Sequence, residues 1–123
     1  MEPFPPTSAA LEDPNGLLAV GGDLSASRLL EAYKRGIFPW YEPGEPILWW
    51  TPQPRAVLRP AQFHESKSLR KFMKTTDWRV DYDQRFEQVI EACAAPSPGR
   101  EATWISDDMK AAYLELHRLG YAH

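Results

Sequence analysis

Six prolines between residues 37 and 60 constrain this chain more than any other feature. Pro39, Pro43, Pro46, Pro52, Pro54 and Pro60 each lack a backbone N–H and clash with the carbonyl one helical turn back, so no long helix can cross the segment. Only short elements fit between them. Residues 47–50 (Ile-Leu-Trp-Trp) and 55–58 (Arg-Ala-Val-Leu) are short and apolar enough to be strands. The segment also carries Phe38, Trp40, Tyr41, Trp49 and Trp50, so it is expected to be ordered rather than a linker. Neighbouring strand residues point to opposite faces, and at most one of Trp49 and Trp50 need enter a core.

Helical signals flank this segment. Asp13-Pro14-Asn15-Gly16 and Gly21-Gly22-Asp23 read as turns. Ser25 is a good N-cap, Leu29, Leu30 and Tyr33 keep helical spacing, and Gly36 supplies the stop. A second helix is expected over residues 66–74, with Leu69, Phe72 and Met73 as its apolar face. Residues 78–82 alternate Trp78, Val80 and Tyr82 against Arg79 and Asp81, as a strand does. Asp83 is expected to cap a third helix with Phe86, Val89, Ile90 and Cys93 inward. Ser106 is expected to cap a fourth, with Asp107 and Asp108 in its first turn and Met109, Ala112, Tyr113 and Leu116 inward. The fold class is α+β. The order strand, helix, loop, helix from residue 78 leaves one strand with nothing to pair with, and a lone strand cannot satisfy its backbone. The expectation is a chain that stops at His123 where the rest of a sheet should begin.

Composition narrows the chemistry. A length of 123 residues suits one domain, or one domain and part of another. A single cysteine, Cys93, excludes an internal disulfide framework and any multi-cysteine zinc site. No apolar run reaches the ~20 residues of a membrane span, and the N-terminus has no signal-peptide pattern; a soluble, cytoplasmic protein is expected. Cys93 is expected to pack as a small buried hydrophobe, and His64, His117 and His123 lack metal-ligand spacing. There is no G-x-S-x-G, P-loop or G-x-G-x-x-G.

Charge is unevenly placed. Residues 55–79 hold seven basic residues against two acidic ones, although the whole chain carries −3 at pH 7. Within that stretch Lys67, Arg70, Lys71 and Lys74 fall at i, i+3, i+4 and i+7, one stripe of the second helix opposite its apolar face. Like charges at that spacing repel, which an anionic partner such as a phosphate backbone would relieve; the pattern alone fits a solvated helix face equally well. Trp40, in a proline-bounded loop, and Trp104, just before a helix cap, are placed either to pack in the core or to stack on a base.

Several runs together resemble the leucyl/phenylalanyl-tRNA–protein transferase family. They are Gly16-Leu-Leu-Ala-Val-Gly-Gly-Asp-Leu-Ser25, Gly36-Ile-Phe-Pro-Trp40, Pro46-Ile-Leu-Trp-Trp50, Pro52-x-Pro54-Arg55 and His64-x-Ser66-x-Ser68. Phe86-x-x-Val89-Ile90-x-x-Cys93-Ala94, Thr103-Trp104-Ile105 and Ala112-Tyr113-x-x-Leu116-His117-x-x-Gly120-x-Ala122-His123 continue the series in order.

The resemblance implies a cytoplasmic bacterial enzyme that moves Leu, Phe or Met from aminoacyl-tRNA to the N-terminal Arg or Lys of acceptor proteins, marking them for degradation. It implies no metal and no acetyl-CoA. Residues 1–75 would be a small mixed α/β N-terminal domain that contacts tRNA. Residues 76–123 would open an acetyltransferase-like (GNAT) domain. Trp40 and Trp104 match the tryptophans that hold the 3′-terminal adenosine, and Lys67, Arg70, Lys71 and Lys74 match a basic stretch on the acceptor-stem backbone. The family's catalytic groups have no counterpart here and are expected beyond His123, leaving this chain inactive alone. A stand-alone RNA-binding module is the alternative, and a peptide groove lined by Trp49 and Trp50 a third reading.

Overall fold

The structure is a computed structural model and describes residues 2–123. The described residues form three strands and four α-helices: β1 (Leu17–Val20), α1 (Ala26–Lys34), β2 (Phe38–Pro39), β3 (Leu48–Trp50), α2 (Lys67–Thr75), α3 (Phe86–Ala94) and α4 (Asp107–Arg118). The sheet order is β1-β3-β2, with both pairings antiparallel.

β3 falls where the gaps between prolines allow it. It sits at the centre of the sheet, with Ala19 opposite Trp49 on one side and Pro39 opposite Trp49 on the other. Alternation sends Trp49 inward, where it is fully buried, and leaves Trp50 half-buried. The indole N–H of Trp49 donates to the Gly21 carbonyl at 2.8 Å, so the large ring enters the core with no unmet donor. A peptide groove lined by both tryptophans is therefore not what this strand builds. At the entry to β1, the Gly16 carbonyl accepts from Thr51 N–H at 2.7 Å, and a Cβ at Gly16 would stand 2.4 Å from Pro52 Cα. Its φ of +91° adds a second reason for glycine.

α1 begins as its sequence requires: the Ser25 side chain accepts from Arg28 N–H. It ends at Gly36, φ +72°, where the Ile37 N–H returns to the Ala32 carbonyl at 2.9 Å and drops Ile37 into the core. Phe4, Leu29, Ala32, Ile37, Trp49 and Leu116 form that core, so α4 closes over the sheet and α1 from far along the chain. Burial of such side chains contributes about 1.5–3 kcal/mol each. Arg28 is buried with them. Its guanidinium lies 3.4 Å over the Phe4 ring and donates to the Glu2 carbonyl at 2.8 Å, tying down the N-terminal segment. Between α1 and α4 the hydroxyls of Tyr33 and Tyr113 share a hydrogen bond, and burial holds the Tyr113 phenol far above its ordinary range.

Four expectations are corrected. Residues 55–58 and 78–82 form no strand. Val57, Leu58, Trp78, Val80 and Tyr82 are all at least 71% exposed, because no described segment offers either stretch a ladder. Asp83 does not cap α3. Arg85 holds the N-cap position without a side-chain bond, while Asp83 adopts φ +60° and its carboxylate is engaged by His123 at 2.9 Å. Cys93 is exposed, and so is Val89; of α3 only Ala94 is buried, and Phe86 and Ile90 are half-covered. The apolar face of α2 reaches no core: Leu69, Phe72 and Met73 stay exposed, and Phe72 packs edge-to-face with the exposed Trp78, 5.5 Å between centroids. α2 itself forms from its own signals, with the Ser66 side chain accepting from Leu69 N–H.

Candidate nucleic-acid interface

β2 ends at Pro39, and Trp40 leaves the sheet from there. Its N–H donates to the Leu48 carbonyl at 2.9 Å, and its carbonyl accepts from the Trp50 indole at 2.7 Å. The ring is directed outward, 48% exposed. Trp104 arrives from the segment between α3 and α4, two residues before the Ser106 cap, whose side chain accepts from Met109 N–H. The two indoles stack, with centroids 4.9 Å apart and planes 19° from parallel. Such a pair presents flat aromatic faces at the surface, the shape on which any base can stack irrespective of its edge. The resemblance assigns both tryptophans to one adenosine, but neither reading by position, core or stacking platform, anticipates that each ring covers the other.

Lys67, Arg70, Lys71 and Lys74 all lie exposed on α2, along one stripe. The Arg70 Nε–H bonds the Glu65 carboxylate at 3.2 Å; Lys67, Lys71 and Lys74 have no carboxylate partner among the described residues. The structure thus brings Trp40 and Trp104 into contact and keeps the four basic residues together on a separate helix.

An open groove of about 900 Å³ lies between residues 41–47 and the start of α4, with neither tryptophan in its lining. Asp23, Glu45, Asp107 and Asp108 line it without a basic residue, which disfavours a phosphate path through it. Burial raises the Tyr41 phenol on its wall above the ordinary value, against a hydrogen bond with Ser106 that lowers it. Sequence reasoning missed the part Trp50 plays. Its neighbour Trp49 absorbed the core role, and a donor aimed at a carbonyl across a hairpin leaves no periodic signal.

Comparison with known proteins decides the family. Residues 57–123 match the model of the leucyl/phenylalanyl-tRNA protein transferases, and residues 22–53 match the model of their N-terminal domain. The chain belongs to the leucyl/phenylalanyl-tRNA protein transferase family. Relatives so named are 57% identical in Saccharophagus degradans and 58% identical in Pseudomonas entomophila and in an Enterobacter species, each across 98% of this chain. Those alignments cover 49%, 53% and 50% of the relatives, so the chain spans about half the length of the transferases it matches. Among the described residues no helix is long and apolar enough to cross a membrane.

Proposed function

We propose that this chain is the tRNA-holding half of a cytoplasmic aminoacyltransferase, which moves Leu, Phe or Met from aminoacyl-tRNA to the N-terminal Arg or Lys of acceptor proteins. The observation that carries the reading is the surface stack of Trp40 on Trp104, built from two distant parts of the chain. Trp40 and Trp104 hold the 3′-terminal adenosine through its flat face, which tolerates several tRNAs because every base has one. Lys67, Arg70, Lys71 and Lys74 take the acceptor-stem phosphates, and such contacts position RNA without reading its sequence. Residues 1–75 form the tRNA-contacting domain and residues 76–123 open the acetyltransferase-like one.

The reaction is attack of a neutral α-amine on the aminoacyl ester. A tetrahedral intermediate forms, a base removes the amine proton, and the tRNA 3′-oxygen leaves as the amide forms. The ester is already activated, so holding it still supplies much of the acceleration. The groups that move protons belong to the part of the family's length that this chain does not span, and the chain alone is inactive.

The test is transfer of labelled phenylalanine from charged tRNA to a peptide with N-terminal Arg. The chain joined to the remaining half of a relative is expected to transfer, and the chain alone to bind tRNA without transfer. Transfer unaffected by replacing both Trp40 and Trp104 with Ala would remove them from the site.

A further inference from the structure

We propose that Trp50 is a positioning residue for base recognition: its indole N–H fixes Trp40 as the stationary face of the platform, so that Trp104 is the face that yields when a base enters. This rests on the assignment of Trp40 and Trp104 to the terminal adenosine.

β2 is two residues long and lies at an edge of the sheet, and one of the two is Pro39, which has no N–H to give the ladder. So weak a strand holds its outgoing residue poorly by backbone pairing alone. Beyond it the Trp40 N–H still reaches the Leu48 carbonyl, but the Trp40 carbonyl meets a side chain, the Trp50 indole, at 2.7 Å. Trp50 is itself set by pairing on both sides, opposite Leu17 of β1 and Phe38 of β2. The bond therefore ties Trp40 to the central strand, and both amide groups flanking its Cα are fixed.

Trp104 has no such anchor. Among the described residues the bonds around it are local: Ser106 N–H to the Trp104 carbonyl at 3.0 Å, and Ile105 N–H to Thr103 Oγ1 at 3.1 Å. The two rings at 4.9 Å leave no room for a base between them, since a third ring needs two contact gaps of about 3.5 Å each, about 7 Å in all. An inserting base must part the pair, and we assign the movement to Trp104, whose backbone bonds stay within its own loop although its ring is the more covered of the two.

Trp50→Phe keeps an aromatic ring in the strand and deletes only the donor and some area. Two labelled RNA hairpins serve as probes, sharing one stem and differing at the 3′ end, one closing with adenosine and one with an abasic sugar. Fluorescence anisotropy at fixed salt reads affinity for each. W50F is expected to weaken the adenosine-ended hairpin by about two- to tenfold, the worth of one hydrogen bond, and to leave the abasic one unchanged. Equal weakening of both hairpins would mean that Trp50 only supports the fold, and no weakening of either would mean that the bond is idle; each overturns the inference. W40A and W104A separate this from the reading beneath it. If they abolish the adenosine preference while W50F does not, the positioning role alone fails. If they leave the preference intact, the platform itself is misassigned.

Discussion

Trp40 and Trp104 lie ring against ring, 4.9 Å between centroids, with α2 and α3 between them in sequence. Replacing either by Ala removes half of a stacking surface. Affinity for an adenosine-ended RNA should fall by about 1–3 kcal/mol, with little dependence on which base replaces the adenine, because stacking is tolerant of base identity. Titration with hairpins ending in each of the four bases checks both statements.

The basic stripe of α2 should show opposite effects on binding and on stability. Changing Lys67, Arg70, Lys71 and Lys74 together to Gln should flatten the dependence of log affinity on log salt by about 3–4 units if all four meet phosphates. The same change removes like-charge pairs at i,i+3 and i,i+4, so the helix should gain about 0.2–0.5 kcal/mol per pair. A salt slope that does not change would place the phosphates elsewhere.

Trp49 and Trp50 are adjacent but unequal. Trp49→Ala deletes a fully buried ring and its bond to Gly21, and should cost about 3–5 kcal/mol of stability in a urea melt. Trp50→Ala, at a half-buried position, should cost clearly less. Equal losses would contradict the alternation of β3.

Gly16 and Gly44 both have positive φ, +91° and +88°, but only Gly16 is crowded, with Pro52 backbone 2.4 Å from where a Cβ would stand. Gly16→Ala should therefore destabilise by well over about 1 kcal/mol, and Gly44→Ala by roughly the conformational cost alone. Thermal denaturation of the two variants isolates the clash.

His123 is held above the ordinary imidazole value by its hydrogen bond to Asp83 and by that carboxylate's charge. A raised folded value means that the His123–Asp83 pair is complete below about pH 6.5, the unfolded value, and is lost as pH rises through the folded one. Proton NMR of His123 should show a titration shifted upward, and Asp83→Asn should return it toward the ordinary midpoint. An unshifted wild-type titration would dissolve the pair.

What could be read along the chain, and what could not, divides by distance. Ser25, Ser66 and Ser106 announce three helices because a hydroxyl can reach a free N–H three residues on, and Gly36 ends one because it tolerates a left-handed turn; both rules act within a few residues. The prolines around residues 47–50 and the alternation of Trp49 with Trp50 likewise set β3 locally, while packing with Phe4, Leu29 and Ile37 makes Trp49 the inward ring. Family membership, too, was legible in the ordered run of motifs. Residues 55–58 and 78–82 look like strands by the same local tests and are not, because a strand exists only when another segment supplies its ladder. Asp83 looks like a cap and instead holds His123, a partner that no local spacing indicates. Local rules along the chain mark where α1, α2 and α4 begin, where α1 stops, and that at most one of Trp49 and Trp50 enters a core. That Trp40 meets Trp104 and is tied by Trp50 comes from the folded chain alone, since contacts between rings far apart in sequence depend on how the core packs the elements that carry them.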